Sequence, residues 1–115
     1  EGRILFKIHT DAAHMQIGSQ AITPELLQTF VSIADMLKKR IGLAIASFAW
    51  KEAVPSEFRA TGENGMQLIF RVDDDYENAF RVLTRIWEEE IGNARARVDY
   101  IDLRFGNKVF FKLKS

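Results

Sequence analysis

The sequence predicts an α+β fold: a mainly antiparallel sheet with two helices packed on it, in the order β-α-β-β-β-α-β-β. Three observations carry this expectation. Two segments repeat apolar residues at helical spacing between start and stop signals. The runs between them alternate as strands do, and those strands fall in adjacent sets that favour hairpins.

The first strand is expected over residues 3–9, where Ile4, Phe6 and Ile8 alternate with Leu5 and Lys7. "TDAAHMQIGSQAIT" follows without a period and reads as a loop. Thr23 then offers an N-cap, and Pro24 occupies the first helical position, where its missing N–H costs nothing. Leu27, Phe30, Val31, Ala34, Leu37 and Ile41 form the apolar stripe of a helix. Lys38, Lys39 and Arg40 suit the negative end of its dipole, and Gly42 supplies the stop.

Residues 43–50, "LAIASFAW", form the next strand. "EFRATGENGMQLIFRV" contains Asn64-Gly65, a strong hairpin signal because both residues tolerate positive φ. Asp74 and Glu77 have capping-box spacing, worth about 1 kcal/mol. They open a second helix with an apolar face of Tyr76, Phe80, Leu83, Trp87 and Ile91, ended by Gly92. Strands over residues 98–105 and 109–113 close the chain.

Composition narrows the function. The 115 residues suffice for one domain spanning 1–115, and no repeat or linker divides them. Sixteen basic and sixteen acidic residues balance to zero, which argues against nucleic acid as a main partner. The absence of cysteine excludes disulfides, thiol catalysis and thiolate metal sites. No apolar run approaches the ~20 residues of a membrane span. The chain begins Glu-Gly rather than Met and is expected to be a piece of a longer protein.

Candidate chemistry is sparse. His9 and His14 flank Asp11, but their spacing suits neither a helix face nor a strand face, so a surface pair is the better reading. "DDDYE" lacks calcium-loop spacing and reads as helix capping, with "EEE" the solvated face of the same helix. The glycines lie in separate turns, so no phosphate-cradling loop is expected. Phe48, Trp50 and Trp87 read as core aromatics. No catalytic, cofactor or metal residue is assigned, and no enzymatic activity is expected.

The final hairpin, "YIDLRFGNKVFFKLKS", is the informative segment. A two-residue Gly106-Asn107 turn would pair Phe105 with Lys108, Leu103 with Phe110 and Ile101 with Lys112, mixing lysines into the apolar face. A three-residue loop, Gly106-Asn107-Lys108, instead pairs Phe105 with Val109, Leu103 with Phe111 and Ile101 with Leu113. One face is then wholly apolar. The other sets Asp102 against Lys112, Arg104 against Phe110 and Tyr100 against Lys114, adding a salt bridge and a cation–π pair. The longer loop is therefore favoured.

"IDLRFGNKVFFK", preceded by strand–"ENG"–strand and "DDDYENAFRVLTRIWEE", resembles the C-terminal β domain of the FtsQ/DivIB bacterial cell-division proteins. The resemblance covers about residues 22–114. It departs at Lys108, where many members place glycine, and Asn107 is then expected at positive φ. The resemblance implies a non-enzymatic divisome scaffold on the outer side of the cytoplasmic membrane. Its parent would be a single-pass membrane protein with a preceding POTRA domain, and the isolated domain would be monomeric. FtsB/DivIC-like and FtsL-like partners would bind by adding a strand to the final strand. The residues that carry over are Arg104, Phe105, Val109, Phe110, Phe111 and Lys112.

Five or so backbone hydrogen bonds contribute about 5 kcal/mol net. Association costs ~4–15 kcal/mol, so side-chain anchors must supply the remainder. Phe110, worth ~1.5–3 kcal/mol if fully buried, is the expected anchor. Six basic residues against two acidic ones from Arg95 onward suit a partner with carboxylates near its strand. On the residues alone, the same lysines also read as gatekeepers against edge-to-edge aggregation. Two other classes remain: a small-ligand or enzymatic α+β domain, and an extracytoplasmic assembly domain of a secretion or pilus system.

Overall fold

The computed structural model describes residues 6–10, 23–51 and 53–114. Six strands form a single mixed sheet in chain order: β1 (Lys7–Thr10), β2 (Ile45–Trp50), β3 (Glu57–Gly62), β4 (Gln67–Arg71), β5 (Val98–Phe105) and β6 (Lys108–Leu113). The helices are α1 (Pro24–Ile41) and α2 (Tyr76–Ile86). The fold is α+β, with the expected order of elements.

The sheet is more mixed than "mainly antiparallel" conveys. β1 and β2 run parallel, as do β4 and β5, while the other three neighbouring pairs are antiparallel. Each parallel pair is the one bridged by a helix, because only a long crossover returns the chain to the same end of a sheet. Both crossovers step in one direction along the sheet. With the usual right-handed connection, both helices cover the same face.

α1 begins and ends as its sequence predicts. The Thr23 hydroxyl accepts from the Leu26 N–H at 3.1 Å, and Gly42 closes the helix at φ 69° with its N–H directed to Leu37 and Lys38 carbonyls. α2 is capped one residue later than expected. Asp75, not Asp74, accepts from the Asn78 N–H at 3.1 Å, while the Asp74 carboxylate accepts from Asp75 N–H at 2.8 Å. Beyond Ile86 the chain keeps coiling as a π-helical turn, Trp87–Ile91, and a 3₁₀ segment, Gly92–Arg97. This keeps Trp87 and Ile91 buried and leaves Glu88, Glu89 and Glu90 exposed.

The core is a row of phenylalanines crossing the sheet beneath the helices. Phe30 of α1 stacks on Phe48 of β2 at 4.5 Å between centroids, and Phe58 of β3 stacks on Phe70 of β4 at 5.2 Å. Phe80 of α2 reaches Phe70 at 6.1 Å, and Phe6 meets Phe48 edge-on at 4.9 Å. Alternation carries Lys7, Ala49, Arg59 and Gln67 to the opposite face, which no helix covers among the described residues.

The β3–β4 hairpin closes through a three-residue loop, with Gly62 N–H donating to Met66 O at 2.8 Å. Gly65 alone in it takes positive φ (91°), and the Asn64 side chain instead accepts from Met66 N–H at 3.0 Å. Ile4, Leu5, Asp11 and His14 lie outside the described residues.

Candidate partner-binding edge

β6 is the last strand of the sheet and pairs only with β5 among the described residues. Its accessibility alternates strictly: Lys108, Phe110 and Lys112 are exposed, whereas Val109, Phe111 and Leu113 are half-buried against the core. The division into an apolar and a lysine-bearing face is the one the sequence predicts for this strand.

The connection is not. The turn has two residues, Gly106-Asn107, and Phe105 pairs with Lys108. Gly106 carries the positive φ (66°) at the first central position, as a type II′ turn requires, and Asn107 does not. The expected three-residue loop, with Phe105 opposite Val109, is therefore incorrect. The register shifts between Asp102 and Phe105, so that Asp102 pairs with Phe110 and Ile101 with Phe111. Leu103 and Arg104 together stand opposite Val109. This β-bulge restores the apolar pairing that a plain two-residue turn would spoil.

The bulge has a second consequence. Alternation slips by one residue, and Phe105 leaves the core face to join Phe110. Their rings meet edge-on at 5.5 Å and 84°, with Phe105 52% and Phe110 51% exposed. They are the two most exposed large apolar side chains described.

Arg104 holds this corner. Its Nε and Nη2 donate to the Asp102 carboxylate at 2.9 and 2.6 Å, and its Nη1 donates to Glu57 Oε2 at 2.8 Å. The guanidinium lies 5.4 Å from the Phe105 ring centroid. Asp102 also accepts the Arg104 backbone N–H at 3.1 Å, a donor that the bulge turns away from the ladder. Burial pushes the Asp102 carboxyl up, but hydrogen bonds from the Arg104 side chain and backbone outweigh it and hold it below its ordinary value. The bonds to Asp102, then to Glu57, hold the Arg104 guanidinium above its own.

The expected Asp102–Lys112, Arg104–Phe110 and Tyr100–Lys114 pairs do not form across the strands: Asp102 faces Phe110 and Tyr100 faces Lys112. Asp102 is satisfied within its own strand, two residues away, where alternation puts it beside Arg104.

Of the six residues singled out, Arg104, Phe105, Phe110 and Lys112 belong to the uncovered face of the sheet. Val109 and Phe111 turn inward. Sequence reasoning missed Glu57, which is 47 positions from Arg104, and Asn78, whose side-chain amide donates to Asn107 Oδ1 at 2.7 Å. The latter ties the hairpin turn to the first turn of α2. Only the i,i+2 spacing of Asp102 and Arg104 was available as a signal.

Backbone polarity along β6 follows from its two ends. Lys114 N–H donates to Arg97 O at 2.6 Å, and the two-residue turn pairs Lys108 directly with Phe105. Both place the N–H and C=O groups of even-numbered residues toward β5. Those of Val109, Phe111 and Leu113 therefore point to the open edge, about six groups at one donor and one acceptor each.

Other clefts are shallower in chemistry. One of about 290 Å³ lies between the helices and is lined by Ile33, Met36, Tyr76 and Phe80. Another, of about 450 Å³, opens beside Ala49, Glu57, Arg59 and Gln67. His9 is exposed on β1 and lines neither. Among the described residues no group of three or more His, Asp or Glu side chains is placed to hold a metal ion. No described helix is long and apolar enough to cross a membrane. No family model and no curated protein matches the chain.

Proposed function

We propose that this chain is a non-enzymatic assembly domain that binds a partner by strand addition to β6. In this reading it is an extracytoplasmic FtsQ/DivIB-like module acting in bacterial septum formation. Its partners are FtsB/DivIC-like and FtsL-like, and its parent is held in the cytoplasmic membrane. The observation that carries the reading is the position of β6 at the sheet edge, with an exposed Phe105–Phe110 pair beside it.

The magnitudes are consistent with this use. About six backbone bonds at ~0.5–1.5 kcal/mol each contribute roughly 3–9 kcal/mol, against an association cost of ~4–15 kcal/mol. Backbone pairing alone is marginal, and two half-exposed phenylalanines supply apolar surface where it is needed. Because Arg104 already holds Phe105 in place, less side-chain freedom is lost on binding.

The test uses calorimetric titration with an FtsB/DivIC-like C-terminal segment. Val109→Pro removes an outward N–H, and Phe110→Glu removes an anchor; neither disturbs the bonds between β5 and β6. Both variants are expected to remain folded by circular dichroism and to lose binding. Wild-type affinity in both would refute the reading.

A further inference from the structure

The uncovered side of β6 presents Lys108, Phe110 and Lys112, followed by Lys114, all exposed. None of the three lysines takes part in an ion pair among the described residues. The nearest carboxylate across the ladder, Asp102, is taken by Arg104. The edge therefore carries a row of cations interrupted by one aromatic ring, with Lys108 and Lys112 about 13 Å apart at the ordinary rise of a strand.

This row constrains what can pair with it. In a two-fold antiparallel pairing of β6 with its own copy centred on Phe111, Lys108 stands opposite Lys114, and does so twice. Shifting the register toward the turn sets Lys108 against Lys112, and shifting it the other way sets Lys112 against itself. In-register parallel pairing stacks identical lysines. Like charges directly opposite are destabilising, so a second copy is disfavoured in each of these registers. A strand with acidic residues at the same positions turns each repulsion into an attraction.

Resting on the strand-addition reading, we infer that β6 selects a partner strand of defined pattern. The strand carries carboxylates opposite Lys108 and Lys112, an aromatic or apolar residue opposite Phe110, and apolar residues opposite Val109, Phe111 and Leu113. The apolar positions continue the core face of the sheet. The carboxylates choose the register, because a slip of one residue would carry them to the apolar face.

The probe is a synthetic peptide containing Val-Glu-Val-Tyr-Val-Glu between neutral flanks, written to run antiparallel to β6. It is compared by fluorescence anisotropy with the same peptide carrying Gln, or Lys, in place of both Glu residues. The acidic peptide is expected to bind about tenfold tighter than the Gln peptide at low salt, with the ratio collapsing toward one at high salt. Lys112→Glu should erase the preference, and Lys108→Glu with Lys112→Glu together should reverse it, favouring the Lys peptide. Equal affinity for the Glu and Gln peptides, with binding still lost in Val109→Pro, would overturn the charge selection while leaving strand addition intact. Failure of all three peptides to bind would overturn both.

Discussion

Replacing Asp102 by alanine tests the claim that one carboxylate holds the bulge and the aromatic corner together. Asp102 is 7% exposed and accepts from Arg104 Nε, Nη2 and backbone N–H. Hydrogen bonds to a charged group contribute ~1.5–3 kcal/mol, and stranding one partner of a buried pair costs ~3–5 kcal/mol. Arg104 is not stranded, because Glu57 remains bound and the Arg104 side chain is 30% exposed. The expected loss is therefore at the lower end, about 2–3 kcal/mol. For a chain of this size the unfolding entropy makes that a fall in Tm of roughly 8–12 °C. Urea denaturation gives the free energy, and a double-mutant cycle with Glu57→Gln should show coupling, since both carboxylates act on one guanidinium. The pH dependence has a defined sign. The folded-state pKa of Asp102 is depressed, so its stabilisation is present above the unfolded carboxylate range and is lost as pH falls through the folded value. The stability gap between wild type and Asp102→Asn should thus be widest near neutrality and shrink in acid. A change below about 0.5 kcal/mol in Asp102→Ala, or a pH-independent gap, would refute the role given to this carboxylate.

Four other substitutions probe the frame around the site. Asp75→Ala should cost about 1 kcal/mol by removing the α2 cap, whereas Asp74→Ala should cost less, a difference that urea midpoints resolve. Gly62→Ala places a Cβ 2.8 Å from both Leu43 Cδ1 and Asn64 Oδ1, so a loss of ~1–3 kcal/mol is expected in thermal unfolding. Phe58→Ala, at 1% exposure between Phe30 and Phe70, should cost ~3–5 kcal/mol in chemical denaturation.

Much of the architecture was legible because its signals are local. Thr23, Pro24 and Gly42 bound α1, and apolar periodicity identified the buried face of α2. In α1 it placed Phe30, Ala34 and Leu37 correctly, but Leu27 and Val31 are exposed and Ile33 is buried instead. The hairpins were legible as hairpins, but their loops were not. Three residues close the β3–β4 loop and two close the β5–β6 turn, and in both a single glycine takes the positive φ. Asparagine-glycine pairs permit several turns, and the choice is made by the strands they join.

At the candidate edge, pattern alone determined that Val109, Phe111 and Leu113 face inward while Phe110 and Lys112 face out, since alternation is a property of any regular strand. Phe105 obeyed no such rule. Pairing arithmetic assigned it to the core face, and the tertiary structure put it outside beside Phe110, because a bulge absorbs one residue without leaving a local mark in composition. What stabilises that bulge is Asp102 together with Arg104, which in turn depends on Glu57 from a strand two places away in the sheet. The sequence by itself determined which faces are apolar. Only the folded sheet decided which residues meet at its edge, because those meetings join positions far apart in the chain through contacts that no periodicity records.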